Sequence, residues 1–186
     1  MSNRARMILI LTLFACVSGG VLSLVYLFSA PLIQANMEAE QQRAVFQVVP
    51  GAEDYEERQA AEVTFYRCTD GSGTLVGYAL PAQGNGYQGV IRLMIGLTPG
   101  LERITGLEVL EQVETPGLGG RISEMQFKEQ FAGVETEPEV AYVKNQEPDD
   151  PNEIQAVTGA TISSRSVVTI INRAVERFEQ VKEGGS

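Results

Sequence analysis

Thr158-Gly159-Ala160-Thr161-Ile162-Ser163-Ser164 lies directly before a segment with helical periodicity. The start of a helix offers free backbone N–H groups and the positive end of the helix dipole, which together favour a phosphate. Gly159 and Ala160 leave space around Thr161, so its hydroxyl is open to a bulky reagent. An ordinary Ser/Thr-rich helix cap explains the same residues. Glu114-Thr115-Pro116-Gly117-Leu118-Gly119-Gly120 joins one rigid backbone position to three permissive ones. Such a loop can aim several N–H groups at one acceptor, or it can be a tight surface turn. Lys144 is the last basic residue before an acidic loop, either a solvated lysine or a cation placed beside a phosphate or a reduced cofactor. Gly84-Asn85-Gly86-Tyr87-Gln88-Gly89 matches G-x-G-x-x-G literally. The dinucleotide fingerprint requires a helix to begin at those glycines, whereas Val90–Ile95 reads as a strand. The stretch is then a glycine-rich turn, or a loop bare enough for a planar ligand or partner to approach.

What the chain lacks narrows the chemistry. It has no histidine, which removes Ser–His–Asp and Cys–His nucleophile systems and histidine-ligated zinc, iron or haem. Its two cysteines, Cys16 and Cys68, are too few for a thiolate-held iron–sulfur cluster. Electron chemistry on this chain therefore belongs to an imported cofactor. The 24 acidic residues include no pair placed by a recognisable hydrolase motif, and a solvated acidic surface accounts for them. A formal net charge of −10 argues against nucleic acid, whose phosphates call for clustered Lys and Arg.

The elements that must position these residues follow from hydrophobic pattern. Met7–Phe28 is almost continuously apolar and uncharged, and as a helix it would span about 33 Å, enough for a bilayer core of roughly 30 Å. Arg4 and Arg6 precede it while Glu38 and Glu40 follow, so the positive-inside rule places the N-terminus in the cytoplasm and the rest outside. The expected organisation is a cytoplasmic N-terminus over 1–6, a transmembrane helix over 7–29, a helical connector over 30–50 and an extracytoplasmic domain over 51–186. In the connector, Val45, Val48 and Val49 are spaced to bury one face. Strands are expected at Val63–Cys68, Leu75–Leu80, Val90–Leu97, Ile104–Leu110 and Ala141–Lys144, with a short helix around Ser123–Phe131 and a surface loop over Asn145–Glu153. Val167, Ile171, Ala174, Phe178 and Val181 recur every three or four residues, which predicts an amphipathic C-terminal helix capped by Ser163 or Ser164. The fold class is α+β, one domain of mainly antiparallel strands with flanking helices behind a single N-terminal transmembrane helix.

Glu114–Gly119 (E-T-P-G-L-G), followed some forty residues later by Thr158–Thr161 (T-G-A-T), resembles the FMN-binding domain of bacterial respiratory complexes. With its N-terminal anchor the chain is most similar to G subunits of Rnf-type ion-translocating electron-transport complexes, whose domain is shared with the C subunit of the sodium-pumping NADH:quinone reductase. The resemblance implies FMN joined to Thr161 by a phosphodiester bond. It sets Thr158, Gly159 and Ala160 around the phosphate, with Glu114, Thr115, Gly117 and Leu118 along the flavin and Lys144 as a nearby cation. It further implies an electron-carrying subunit at the inner membrane with no substrate site, catalytic side chain or metal of its own. Its partners would be other membrane subunits and a flavin transferase. The family often has a histidine shortly before E-T-P-G-L-G where this chain has Gln112-Val113, so no imidazole can act there. The competing class is a membrane-tethered extracytoplasmic FMN-binding, assembly or sensory module that carries no electrons.

Overall fold

In the computed structural model, which describes residues 2–184, helix α1 (Asn3–Val48) runs unbroken through the expected span and most of the expected connector. The chain divides between Glu40 and Gln41 into two compact units. In the first unit the apolar side chains stand outward, Leu22 and Phe28 at 70% and 75% exposure among them, and its most apolar 18-residue window buries nothing. Water would penalise such a surface, whereas hydrocarbon matches it. By length and composition this helix is able to cross a membrane.

The second unit begins with the last turns of α1, where Ala44, Val45 and Val48, with Val49 beyond, are buried. Five strands follow: β1 (Asp54–Ala60), β2 (Val63–Thr69), β3 (Leu75–Asn85), β4 (Val90–Leu97) and β5 (Ile104–Glu111). They form an antiparallel sheet in sequence order. Because successive side chains on a strand face opposite ways, the pleat sorts the core into two layers. Leu80, Leu93, Ile95 and Leu107 pack with helix α3 (Thr161–Gly184) through Val167, Ile171 and Phe178. Ala79, Met94, Tyr66 and Cys68 pack instead with Ala44, Val45 and Val48. The sheet is thus covered on both faces by helix. The connection from β5 to α3 holds a 3-10 turn (Gly119–Ser123), the short helix α2 (Met125–Lys128), a further 3-10 turn (Glu129–Phe131) and the parallel pair β6 (Ala141–Val143) and β7 (Glu153–Gln155).

The α+β class, the antiparallel strands and both covering helices agree with expectation, and several local readings change. β1 is an addition, because DYEERQA has no apolar alternation, and only Tyr55 and Ala60 of it are even half-buried. β3 runs five residues beyond Leu80, through Gly84 and Asn85. The single helix expected over Ser123–Phe131 is one helical turn between two 3-10 turns, and the loop expected over Asn145–Glu153 gives way to β7 at Glu153. Ser163 and Ser164 do not cap α3. The helix starts at Thr161, so both serines sit inside its first turn.

Candidate functional site

The turn before α3 is shaped by Gly159, whose φ of +84° only glycine adopts without strain. It lets the chain reverse so that the Ala160 N–H meets the Val157 carbonyl at 2.9 Å. Ser164 fixes the reversal from within the helix. Its hydroxyl donates to the Ala160 carbonyl at 3.0 Å and accepts the Val157 N–H at 3.1 Å, while its own N–H closes the first helical bond to Ala160 at 2.9 Å. Thr161, Ile162 and Ser163 precede that first bond, so their N–H groups belong to the set that a helix start leaves without intrahelical acceptors. Thr161 is half-buried on this first turn, and Thr158 and Gly159 are exposed.

Glu114 draws three separate segments to this point. Its carboxylate, 5% exposed, accepts the Tyr87 and Gln88 N–H groups on one oxygen at 2.7 and 3.0 Å and the Ser163 hydroxyl on the other at 2.6 Å. The β3–β4 turn, the loop after β5 and the start of α3 are thereby held by one side chain. Burial pushes the Glu114 carboxyl up, but the Ser163 hydroxyl and the N–H groups of Gln88, Tyr87 and Gly89 outweigh it and hold the group below the usual carboxylate range. Gly119 must lack a side chain here, because a Cβ would stand 2.5 Å from the Glu114 Oε2 and 2.6 Å from the Ser163 Oγ. The Gln112 side chain accepts the Glu114 N–H at 2.7 Å and braces the loop from behind.

These segments enclose a cleft of about 350 Å³, within the roughly 300–1,000 Å³ of small-molecule sites. Of the residues singled out from sequence, Glu114, Thr115, Leu118, Gly159, Ala160 and Thr161 line it. Gly117, at a φ of +74°, shapes the loop from outside the lining, and Thr158 flanks it. Lys144 is not brought to the wall. The β6–β7 pairing sets the Val143 carbonyl 2.9 Å from the Ala156 N–H, but the exposed Lys144 side chain lies over Tyr142, 5.9 Å from the ring centre. Tyr87, Gly119, Ile162 and Ser163 complete the lining. Ser163 carries the residue type of a cap, and Tyr87 sits in the glycine-rich turn whose partner Glu114 is 27 residues away in sequence. Arg121, directly after Gly119-Gly120, is a basic residue whose signal is its place at the end of the loop motif. Its guanidinium reaches the Thr158 carbonyl at 3.4 Å and Glu124 at 3.4 Å, tying the 3-10 turn to the T-G-A-T stretch.

The antiparallel sheet between two helices, with its cleft at the start of α3, makes an α+β domain with a small-molecule-sized site at a helix start. The profile of the FMN-binding domain matches residues 86–176, and that of the RnfG N-terminal region matches residues 6–48. The G subunit of an ion-translocating oxidoreductase complex from Vibrio cholerae is 30% identical over 92% of this chain and 88% of that protein. The corresponding G subunit from Methanosarcina acetivorans is 29% identical over 96% of both. The crystal structure of the C subunit of a Na(+)-translocating NADH-quinone reductase from Parabacteroides distasonis superposes with a TM-score of 0.59 at 19% identity, covering 77% of this chain and 92% of that one, and so shares the fold. The chain belongs to the family of G subunits of ion-translocating oxidoreductase complexes. With this membership, the apolar helix makes it a membrane-anchored protein, and α1 is the one candidate span among the described residues.

The cleft suits FMN on its own geometry. Tyr87, Leu118 and Ile162 are large apolar side chains left 67%, 53% and 47% exposed around it, a surface that a flat ring system would cover. The hydroxyl and N–H groups at the start of α3 are of the kind that can meet a phosphate.

Proposed function

We propose that this chain is the electron-carrying flavoprotein subunit of an ion-translocating membrane complex. In this reading FMN is joined through its phosphate to the Thr161 hydroxyl and held on the extracytoplasmic side. The observation that carries the proposal is the convergence of both motifs on one cleft, with Thr161 in its wall at the first turn of a 24-residue helix. When bound, FMN supplies the ring that accepts and returns electrons. The chain's own residues do the rest. Thr161 Oγ1 carries the phosphoryl link, and the N–H groups of the first turn offset its negative charge. Glu114 keeps the three walls in register, since its acceptor positions are occupied by protein donors. Leu118, Tyr87 and Ile162 give the ring an apolar bed and exclude water from one side. Arg121 is the cation tied to the T-G-A-T backbone, while Lys144, over Tyr142 and outside the wall, is left without a part in holding the group.

Arg4 and Arg6 before the apolar run support an N-terminus in the cytoplasm and a flavin domain on the other side. There, a dissociable cofactor would be lost, which gives the covalent link its purpose. Other membrane subunits would exchange electrons with the flavin, and a flavin transferase would form the link.

The test is the intact mass of wild type and Thr161→Ala, with flavin fluorescence read in a denaturing gel. An FMN-sized increment and fluorescence that survive denaturation in wild type and vanish in the variant bear the reading out. An unmodified wild-type mass, from cells with an active flavin transferase, sinks the covalent link and favours a tethered binding or assembly module.

A further inference from the structure

A second cleft opens where the sheet comes apart. β1 and β2 stay paired to Ala60↔Val63 and β3 and β4 to Asn85↔Val90, but β2 and β3 pair only from Tyr66↔Ala79 to Thr69↔Leu75. Beyond Tyr66 the two strands diverge and leave a wedge of about 400 Å³ between Val63-Thr64 and Leu80–Gln83. Pro81 lies on the diverging part of β3, and proline, having no N–H, is tolerated where a ladder is open on one side. The wedge is therefore a built feature of the strand and shares no lining residue with the cleft at Thr161. The two sites use α3 at different heights, Thr161–Ser163 in one and Ile170–Arg177 in the other.

Charge at the wedge runs against that of the domain. Residues 38–186 carry a net −12, since Arg4 and Arg6 are the only charged side chains before them. Yet Arg92, Arg173 and Arg177 all line this one cavity, and Glu62 is its only acidic wall residue. Arg92 is engaged by Glu111 at 3.3 Å. Arg173 and Arg177, one turn apart on α3, have no carboxylate within ion-pair distance among the described residues. Like charges at that spacing repel, and a bound anion would relieve them. Behind the pair the walls are apolar, with Leu80, Leu93, Ile170 and Ala174.

We propose that the wedge between β2 and β3 is a second ligand site, taking a phosphate ester with an apolar body. Arg173 and Arg177 grip the phosphoryl group, two planar guanidinium forks against a multiply charged oxyanion. Val63, Pro81, Ala82 and Ala174, half-buried along the wedge, receive the apolar part over a buried floor of Leu80, Leu93 and Ile170. A lipid headgroup and a soluble phosphate ester share this chemistry. Isothermal titration calorimetry on the full-length, flavin-loaded protein in neutral detergent separates them, with dihexanoyl phosphatidic acid and phenyl phosphate as probes and inorganic phosphate as the baseline. Both esters should bind more tightly than inorganic phosphate, and the tighter of the two names the source. The Arg173→Gln/Arg177→Gln double variant should weaken binding by about tenfold or more, a loss of one order in Kd. Arg58→Gln, at an exposed ion pair outside the wedge lining, should bind as wild type does. Both arginines are exposed, so the double variant should melt at the wild-type temperature without ligand and lose only the ligand-induced rise. Esters that bind no better than inorganic phosphate, or equal affinities in wild type and double variant, overturn the proposal.

Discussion

Removing the Glu114 carboxylate should loosen the cleft at the start of α3 and the domain around it together, by an amount that the hydrogen bonds fix. In Glu114→Ala three donors lose their acceptor. The Ser163 hydroxyl is 2% exposed, so it forfeits most of a charge-assisted bond, roughly 2–3 kcal/mol. The Tyr87 and Gln88 N–H groups belong to exposed residues and regain water, which limits their loss to about 0.5–1 kcal/mol each. The expected cost is about 3–5 kcal/mol, or a fall in Tm of roughly 10–15 °C for a domain of this size. Glu114→Gln keeps an acceptor for both N–H groups and can donate to Ser163 Oγ, so only charge assistance is lost, about 1–2 kcal/mol. The pH dependence has a definite sign. The folded carboxyl is held below its ordinary value, so its contribution is fully present above the unfolded pKa of about 4.3 and disappears as pH falls through the folded value. The gap between wild type and Glu114→Gln should therefore narrow as pH is taken from about 6 to about 3. Scanning calorimetry of the full chain in neutral detergent reads both effects. An Ala variant within about 1 kcal/mol of wild type, or a gap that widens in acid, would refute the keystone role.

Gly119→Ala should reproduce much of that loss by forcing apart the Ser163–Glu114 bond. Combined with Glu114→Ala it should add little further cost, because both act on one contact; full additivity in the same calorimetry would contradict this. Thr161→Ser retains a hydroxyl at the same backbone position, so the intact mass should still show the flavin increment, whereas Thr161→Val should show none. Cys68 is fully buried, and desolvation pushes its thiol up to about 11; at pH 8 a maleimide should leave it unmodified in the native protein and label it after denaturation, as mass spectrometry will count. Lys128 holds both Glu108 oxygens, at 2.7 and 2.8 Å, with its side chain only 19% exposed. Lys128→Ala should cost about 1–2 kcal/mol, more than the roughly 0–1 kcal/mol of an exposed pair, measured as a shift in the denaturation midpoint.

How much of the fold and site is legible in the sequence depends on whether the cause is local. Helix α3 and the central strands announce themselves through apolar spacing, because burial on one face is written into neighbouring residues. The two loop motifs are legible for the same reason: glycine, proline and threonine are chosen by backbone geometry within a few residues. β1 leaves no trace because an edge strand is held by its ladder with β2 and needs no apolar alternation. The partners of Glu114 are equally hidden. Tyr87, Gln88 and Ser163 lie 27, 26 and 49 residues from it, and only the register of β3 on β4 and the placement of α3 bring them together. Ser163 shows the consequence most clearly. Its type and position fit a helix cap, and its hydroxyl does satisfy a group at the helix start, but that group is a carboxylate from another loop, not the helix's own N–H. The resemblance implies Glu114 beside the cofactor; it does line the cleft, and its carboxylate is there taken up by protein donors. Leu118, Tyr87 and Ile162, exposed around the same cleft, are the apolar residues that the proposed flavin ring would cover.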